Sequence, residues 1–560
     1  MKNNTGNYVY ENIIPKTGNF DSTNIIFKDS NDILNNEHRR KVIGFAKKIH
    51  GISFLASFMF YIIIVINLAE LSILKNNKLI NTNREINYKR GKILDRNGEI
   101  IATTINTKDL YLDTKKSLNY VKLIEKLSSI FEDKKEDYFK AIFKKKQYIR
   151  VKKDLNLEEI NSLMKIGDPA IKFHDSKKRI YLQHNLFSHL TGFKSLHLKS
   201  KLEKNLNDKL AKGINIDLTV DLKIQTIVHE ELKKSIKKYN AKSGVAIVMN
   251  VENGEIISLV SLPDFDPNFP ENIKPLSENN LATEARYEMG STLKIFNAAL
   301  VYENLNNTNL VKEEFDISNG YQITSKKLIE DKHIVEKKID FNEIFIHSSN
   351  VGSIKLIESI GIEKQKDFFE KIGITSKLKI DGLKIVNNKP PIYWDEQASK
   401  FISYGYGISI SPISLISAYS SLVNGGFKIN PVIHKNQKKV KIKIIDDQVS
   451  KNISLLLEKI VKEGTGKKAR VNGLAVGGKT ATSKKLEKGE YSEKKLITSF
   501  IGIFPVEEPK FISLILFDEP TKNAGVSIEN FGGNTAAPTF SRIVRKISPI
   551  LLKHNYLSVK

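Results

Sequence analysis

Residues 476–517, VGGKTATSKKLEKGEYSEKKLITSFIGIFPVEEPKFISLILF, decide how this 560-residue chain is read. Gly477-Gly478 opens a strand-like run over 476–482, and further strands are expected over 496–504 and 511–517. Short apolar runs rich in β-branched and aromatic residues, bounded by turn signals, read as strands of an antiparallel meander. The segment 484–495 between the first two is charged and is expected as a loop. This reading sets Lys479, followed by Thr480, Ala481 and Thr482, at a defined point on what is expected to be an inner strand.

Upstream, residues 243–262 (SGVAIVMNVENGEIISLVSL) read as a hairpin turning at Glu252-Asn253-Gly254. A catalytic domain is expected to start close to this point. Between hairpin and meander lie two more motifs, Ser291-Thr292-Leu293-Lys294 and Ser348-Ser349-Asn350. Gly290 precedes a run, 291–303, with apolar residues at 293, 296, 299 and 300, which is one face of a helix. Ser291 then falls in the first turn, where backbone N–H groups are unpaired, and Lys294 shares its side of the helix. A serine hydroxyl becomes a good nucleophile once a base takes its proton. A lysine serves as that base when burial or a neighbouring cation pulls down its pKa. The scheme calls for a second positive charge, and Lys479 is the candidate. Ser348 and Asn350 follow the helical pattern 341–347 and are placed to bridge the two lysines and to bind a substrate amide.

Taken singly these motifs mean little. Ser72, Ser162, Ser235, Ser376 and Ser492 also have a lysine three residues on, and for each a solvated surface pair is the plainer reading. The information is in order and context: one motif at a helix start, one after a helix, one on a strand behind two glycines. Rival motifs fail. Gly464-Thr465-Gly466-Lys467-Lys468 lacks the earlier glycine and the Ser/Thr of a phosphate loop, and Gly405-Tyr406-Gly407 lacks the third glycine of a dinucleotide fingerprint. There is no G-x-S-x-G elbow and no H-E-x-x-H, and neither metal nor cofactor is expected. Zero cysteines exclude disulfides, thiolate metal sites and cysteine nucleophiles. The formal charge of +26 is spread along a Lys-, Asn- and Ile-rich chain with no nucleic-acid signature, so it favours anionic surroundings rather than a nucleic acid.

Residues 51–69 (GISFLASFMFYIIIVINLA) carry no charge over 19 positions, enough at about 1.5 Å per residue to cross one hydrocarbon core. They are expected to be a single uncleaved signal anchor. Arg39, Arg40, Lys41, Lys47 and Lys48 precede it, against Lys75, Lys78 and Arg84 after it, which puts residues 1–50 inside as a polar cytoplasmic tail. Beyond the anchor, Asn97-Gly98 between apolar runs signals a two-residue hairpin, whose turn positions both want φ > 0. Residues 118–163 read as helical and lysine-rich, 209–213 as polar, and 214–220 as strand-like. A helix comes next, with Leu222, Ile224, Ile227, Val228 and Leu232 on its apolar face. The fold class is α/β (α+β), in two or three folded units.

Together these segments resemble the class B penicillin-binding proteins, and within them the division-specific D,D-transpeptidases of the FtsI type. The resemblance runs from Arg90-Gly91-Lys92-Ile93-Leu94-Asp95-Arg96-Asn97-Gly98 through Ser188-His189-Leu190-Thr191-Gly192 and Tyr287-Glu288-Met289-Gly290-Ser291. It continues through Tyr404-Gly405-Tyr406-Gly407 and Glu463-Gly464-Thr465-Gly466-Lys467 to Thr535-Ala536-Ala537-Pro538. It implies a non-catalytic pedestal over 80–235 and a transpeptidase domain over 236–550, built on a five-stranded antiparallel sheet between helices. By the same resemblance Ser291 is the nucleophile towards a D-Ala-D-Ala stem, Lys294 its base and Ser348 the proton relay. Asn350, Lys479, Thr480, Ala481 and Thr482 bind substrate, and the N–H groups of Ser291 and Thr482 form the oxyanion hole. Implied partners are stem peptides, lipid-linked precursor polymer, β-lactams as inhibitors, an FtsW-type glycan polymerase and divisome proteins at the septum of the inner membrane. No glycosyltransferase motif precedes the pedestal. The elongation-specific relative, a D,D-carboxypeptidase and a β-lactam sensor are the competing readings. One departure stands out: the family usually has glycine where this chain has Ala481, whose methyl is expected to crowd the edge at which substrate pairs.

Overall fold

The computed structural model describes residues 48–68, 90–132, 138–139, 147–192, 201–305, 309–325, 327–331, 333–487, 489–521 and 531–553. It divides into two units, residues 1–87 and 88–560. In the first, helix α1 (Lys48–Leu68) spans 21 residues with no buried side-chain face, long and apolar enough to cross a membrane. The cytoplasmic tail and most of the charges used to orient the anchor lie outside the described residues.

In the second unit a mixed sheet comes first. Its central strand β2 (Ile100–Asp113) pairs along its length with β4 (Ile171–Tyr181). On the other side it pairs with β1 (Ile93–Leu94) and β3 (Tyr148–Leu155). β5 (Ile216–Asp217) joins β1 in parallel. The helical reading of 118–163 is corrected here. Helices α2 (Tyr120–Phe131) and α3 (Leu157–Ile166) flank β3, whose lysines mask a β-forming Tyr-Ile-x-Val run. The strand-like 214–220 shrinks to two residues, and 207–211 is helical rather than merely polar. The turn at Asn97-Gly98 is also wider than expected. Leu94 pairs with Ile100, only Gly98 has a positive φ (+90°), and the Asp95 carboxylate accepts the N–H groups of Asn97 (2.7 Å) and Glu99 (2.9 Å). Asp95 also accepts from the Leu222 N–H (3.0 Å) at the start of α4 (Leu222–Tyr239), which ties this sheet to that helix.

The second sheet has five antiparallel strands. β6 (Ser243–Asn250) and β7 (Ile256–Leu262) form the expected hairpin, and the meander supplies β8 (Gly477–Glu487), β9 (Glu490–Phe504) and β10 (Phe511–Asp518). Their order is β8-β9-β10-β6-β7. Two expectations change. Residues 484–495 are not a loop, because β8 and β9 run on as a ribbon with Lys484–Glu493 and Lys495–Glu487 ion pairs across it. And β8, with Lys479, is an edge strand rather than an inner one.

Helices cover both faces, which is why β10 reads as a continuous apolar run rather than an alternating one. Phe511, Ile515 and Phe517 face α4 and the terminal helix α10 (Ala536–Lys553), through residues such as Leu232 and Phe540. Ile512, Leu514 and Leu516 face the opposite core with Phe296 of α5 (Lys294–Glu303), Leu415 of α8 (Pro412–Val423) and Leu457 of α9 (Asp447–Lys462). Between α5 and α8, the short α6 (Phe341–Ile346) and α7 (Asn350–Ile360) bracket the Ser348 turn.

Candidate active site

Ser291 lies not in α5 itself but in the 3-10 turn Gly290–Leu293 that leads into it. The turn is held from two sides. The Tyr419 hydroxyl donates to the Thr292 carbonyl (2.5 Å), and the Gly290 N–H donates to the Gly405 carbonyl (3.1 Å). The crossing of these two segments is so close that a Cβ on Gly405, whose φ is +105°, would stand 2.0 Å from the Gly290 carbonyl oxygen. Only glycine fits there. The turn also abuts β8, since a Cβ on Gly290 would lie 3.3 Å from the Thr482 carbonyl oxygen.

The two lysines meet at Ser348, which lines the same cleft as Ser291. Lys294 Nζ donates to the Ser348 carbonyl (2.5 Å) and to Asn350 Oδ1 (2.8 Å), and lies 3.4 Å from Ser348 Oγ. Lys479 Nζ donates to the same Oγ (2.9 Å) and to the Thr480 carbonyl (3.1 Å). Ser348 presents carbonyl and hydroxyl inward through a left-handed backbone, φ +64°, a conformation uncommon for a residue with a Cβ and worth about 1–3 kcal/mol of strain. Both lysines are fully buried. Burial pulls Lys294 down to about 7, against a partial upward pull from Asp331. Burial first, and then Lys294, holds Lys479 well below the usual lysine range. Desolvation is the cause that lowers Lys294, and the lysine–lysine repulsion enters on the side of Lys479. Two ammonium groups that share one hydroxyl disfavour each other's charged form.

The sequence reading missed Asp331. Its carboxylate accepts the Ser349 hydroxyl (2.5 Å) and the N–H groups of Asn350 (2.8 Å) and Val351 (3.0 Å), anchoring the turn at the N-terminus of α7. Nothing in the local pattern around 331 marks it, because its partners are 18 to 20 residues away. Thr465, which the sequence shows only as part of a glycine-rich motif, also reaches the site; its hydroxyl oxygen accepts from Thr480 Oγ1 (2.8 Å). Ser291, Ser348, Asn350, Thr480, Ala481 and Thr482 all line one cleft of about 500 Å³, and the buried Lys294 and Lys479 reach it through Ser348. The structure thus brings every candidate residue to one place. The Ala481 methyl departs from expectation. Side chains alternate across a strand, so it shares the buried face of Lys479 and Ser483 and packs towards the Gly290 turn instead of projecting along the pairing edge.

The penicillin binding protein transpeptidase domain matches residues 244–545, and the penicillin-binding protein dimerisation domain matches 85–219. The probable peptidoglycan D,D-transpeptidase FtsI of Caulobacter vibrioides is 29% identical over 487 residues, 82% of this chain and 81% of that protein. Stage V sporulation protein D of Bacillus subtilis is 30% identical over 514 residues, 83% of this chain and 78% of its own length. The crystal structure of penicillin binding protein 2X from Streptococcus thermophilus superposes with a TM-score of 0.68 at 19% identity, covering 84% of this chain and 80% of that one, a likeness of fold.

Proposed function

Because the chain belongs to the class B penicillin-binding proteins, a family of peptidoglycan D,D-transpeptidases, we propose that it cross-links stem peptides through an acyl-enzyme on Ser291. The observation that carries this reading is the Lys294–Ser348–Lys479 cluster, whose Ser348 lines the same cleft as Ser291. A substrate carboxylate arriving near Lys479 and Thr480 favours the charged form of Lys479, which leaves Lys294 as the neutral member of the pair. Ser291 Oγ then attacks the carbonyl of the penultimate D-Ala and its proton passes to Lys294. The oxyanion is held by the N–H groups of Ser291 and Thr482. Ser348 relays the proton to the departing nitrogen, and the terminal D-Ala leaves. An amine of a neighbouring stem attacks the ester, gives up its proton along the same path and frees Ser291. β-Lactams stop the cycle at the acyl stage.

The anchor, the dimerisation-type domain and the FtsI-type relatives support a membrane-bound enzyme of septal synthesis, working beside a glycan polymerase and the division machinery. One relative of similar coverage is named for sporulation, so fluorescent-fusion localisation decides that role. The chemistry is tested by labelling the full chain with a fluorescent penicillin beside Ser291→Ala. Label on the wild type that vanishes in a folded variant is expected; label that persists in the variant refutes Ser291 as nucleophile.

A further inference from the structure

Two imidazoles that the acyl-transfer mechanism leaves unused line the catalytic cleft, those of His333 and His347. Among the described residues the lining holds no carboxylate, and its other polar side chains are hydroxyls and carboxamides. His333 is held in one tautomer. Its Nε2 lies 3.0 Å from the His347 carbonyl oxygen, which only accepts, so Nε2 carries the proton and Nδ1 keeps the lone pair. His333 is exposed, whereas His347 is half-buried.

The segment that carries His333 is pinned to the Ser348 turn twice. His333 bonds the His347 carbonyl, and Asp331 accepts from Ser349, Asn350 and Val351. The imidazole therefore stands on the flank of the cleft that Ser348 supplies. Of the charged groups on the segments meeting here, Asp331 is taken up by three donors and Lys294 and Lys479 are engaged at Ser348. Glu330 lines the neighbouring cavity instead.

This flank is where a nitrogen must come and go. The departing nitrogen takes its proton from Ser348, and the nitrogen of the incoming stem retraces that path. Near neutral pH an alkylamine, with an ordinary pKa of about 10, is an ammonium and has no lone pair to attack with. It must lose one proton before the C–N bond forms and a second as it forms. The second follows the Ser348–Lys294 path. The first calls for a separate base, suited to neutral pH and open to solvent, and imidazole is the side chain with that chemistry.

Resting on the transpeptidase reading, we propose that His333 is the base of the second half-reaction, its Nδ1 taking the first proton from the acceptor ammonium. The neutral amine then attacks the Ser291 ester. The C–N bond forms, the bond to Ser291 Oγ breaks, and the amine's second proton reaches that oxygen through Ser348 and Lys294. The imidazolium returns its proton to water.

The full chain is given the thioester N-acetyl-D-alanyl thioglycolate as donor and D-alanine as acceptor, and the ratio of amide to acid product is read. That ratio is set after acylation, so a variant that merely folds poorly loses both products together and leaves it unmoved. His333→Gln can still donate to the His347 carbonyl but has no basic lone pair; H333N carries the same test should H333Q yield no product. At pH 7 the ratio is expected to fall about a hundredfold, the lower scale of general base catalysis. Hydroxylamine, already neutral at that pH, is expected to give variant and wild type the same ratio. Raising the pH to 9 restores much of the loss with D-alanine, because neutral amine then arrives from solution. A ratio within about threefold of wild type overturns the assignment. An equal fall with both acceptors makes His333 a binding group and refutes it as a base. A fall in H347Q that H333Q lacks moves the base to His347 and refutes the assignment. A wild type that fluorescent penicillin labels but that yields only acid overturns amine transfer and this base with it, leaving the acyl-enzyme standing. A folded wild type that takes no label overturns the Ser291 reading itself, and the base falls with it.

Discussion

Replacing Asp331 by asparagine separates position from chemistry, because Asp331 touches neither Ser291 nor the lysines through a hydrogen bond that defines the site. Its three accepted hydrogen bonds, at 2.5, 2.8 and 3.0 Å, hold Ser349, Asn350 and Val351. An asparagine keeps one acceptor oxygen and turns an NH2 towards a donor on the other side. One or two charge-assisted bonds are lost, at about 1.5–3 kcal/mol each. If about 2.7 kcal/mol of this appears as misplacement of Ser348 and Asn350, acylation falls roughly a hundredfold. The variant also shifts the pH profile. Asp331 favours the ammonium form of Lys294, so removing its charge lowers the pKa of Lys294. The acid limb of acylation, expected through about 7 in the wild type from the lowered Lys294, should move to lower pH. Stopped-flow acylation by a fluorescent penicillin from pH 5 to 9 reads both effects. A plateau constant within threefold of wild type, or an acid limb displaced to higher pH, refutes the role given to Asp331.

Lys294→Met should show the linkage sign of a buried lysine. With a folded value of about 7 against an ordinary 10.5, the wild type is penalised by up to about 5 kcal/mol at low pH, a penalty that fades as pH rises from 7 to 10.5. The melting temperature of wild type should therefore gain on K294M over that window; a constant difference would contradict it. Gly405→Ala forces a methyl to within 2.0 Å of the Gly290 carbonyl oxygen, so the protein should lose penicillin labelling and become protease-sensitive, and ordinary labelling would refute the close crossing. Ala481→Gly removes one buried methyl, worth about 1 kcal/mol of stability, and should leave acylation within a few-fold. A large gain in β-lactam acylation would restore the crowded-edge reading.

Much of this is readable in the residues themselves. The two-face burial of β10 is visible in Phe511-Ile512-Ser513-Leu514-Ile515-Leu516-Phe517, and the chemistry of serine, lysine and amide is visible in three short motifs. The 19-residue apolar run of the anchor and the period of α4 are equally local signals. Where local reading fails, the deciding partner is distant. β3 escapes it because a lysine-rich face hides the pairing with β2. The ribbon beyond Lys484 reads as a loop because its charges are neutralised only across the two strands.

Side-chain type and short-range period thus determined which groups could act and which segments could be helix, strand or membrane span, since both depend on neighbours within a turn or a pleat. Only the tertiary structure decided that β8 closes the sheet as an edge strand and that residues 54 and 131 positions apart bring two lysines to one hydroxyl. It decided too that Asp331 pins the turn between them and that burial draws the lysines down. Desolvation and edge exposure are properties of what surrounds a residue, and those surroundings form only when distant segments pack together.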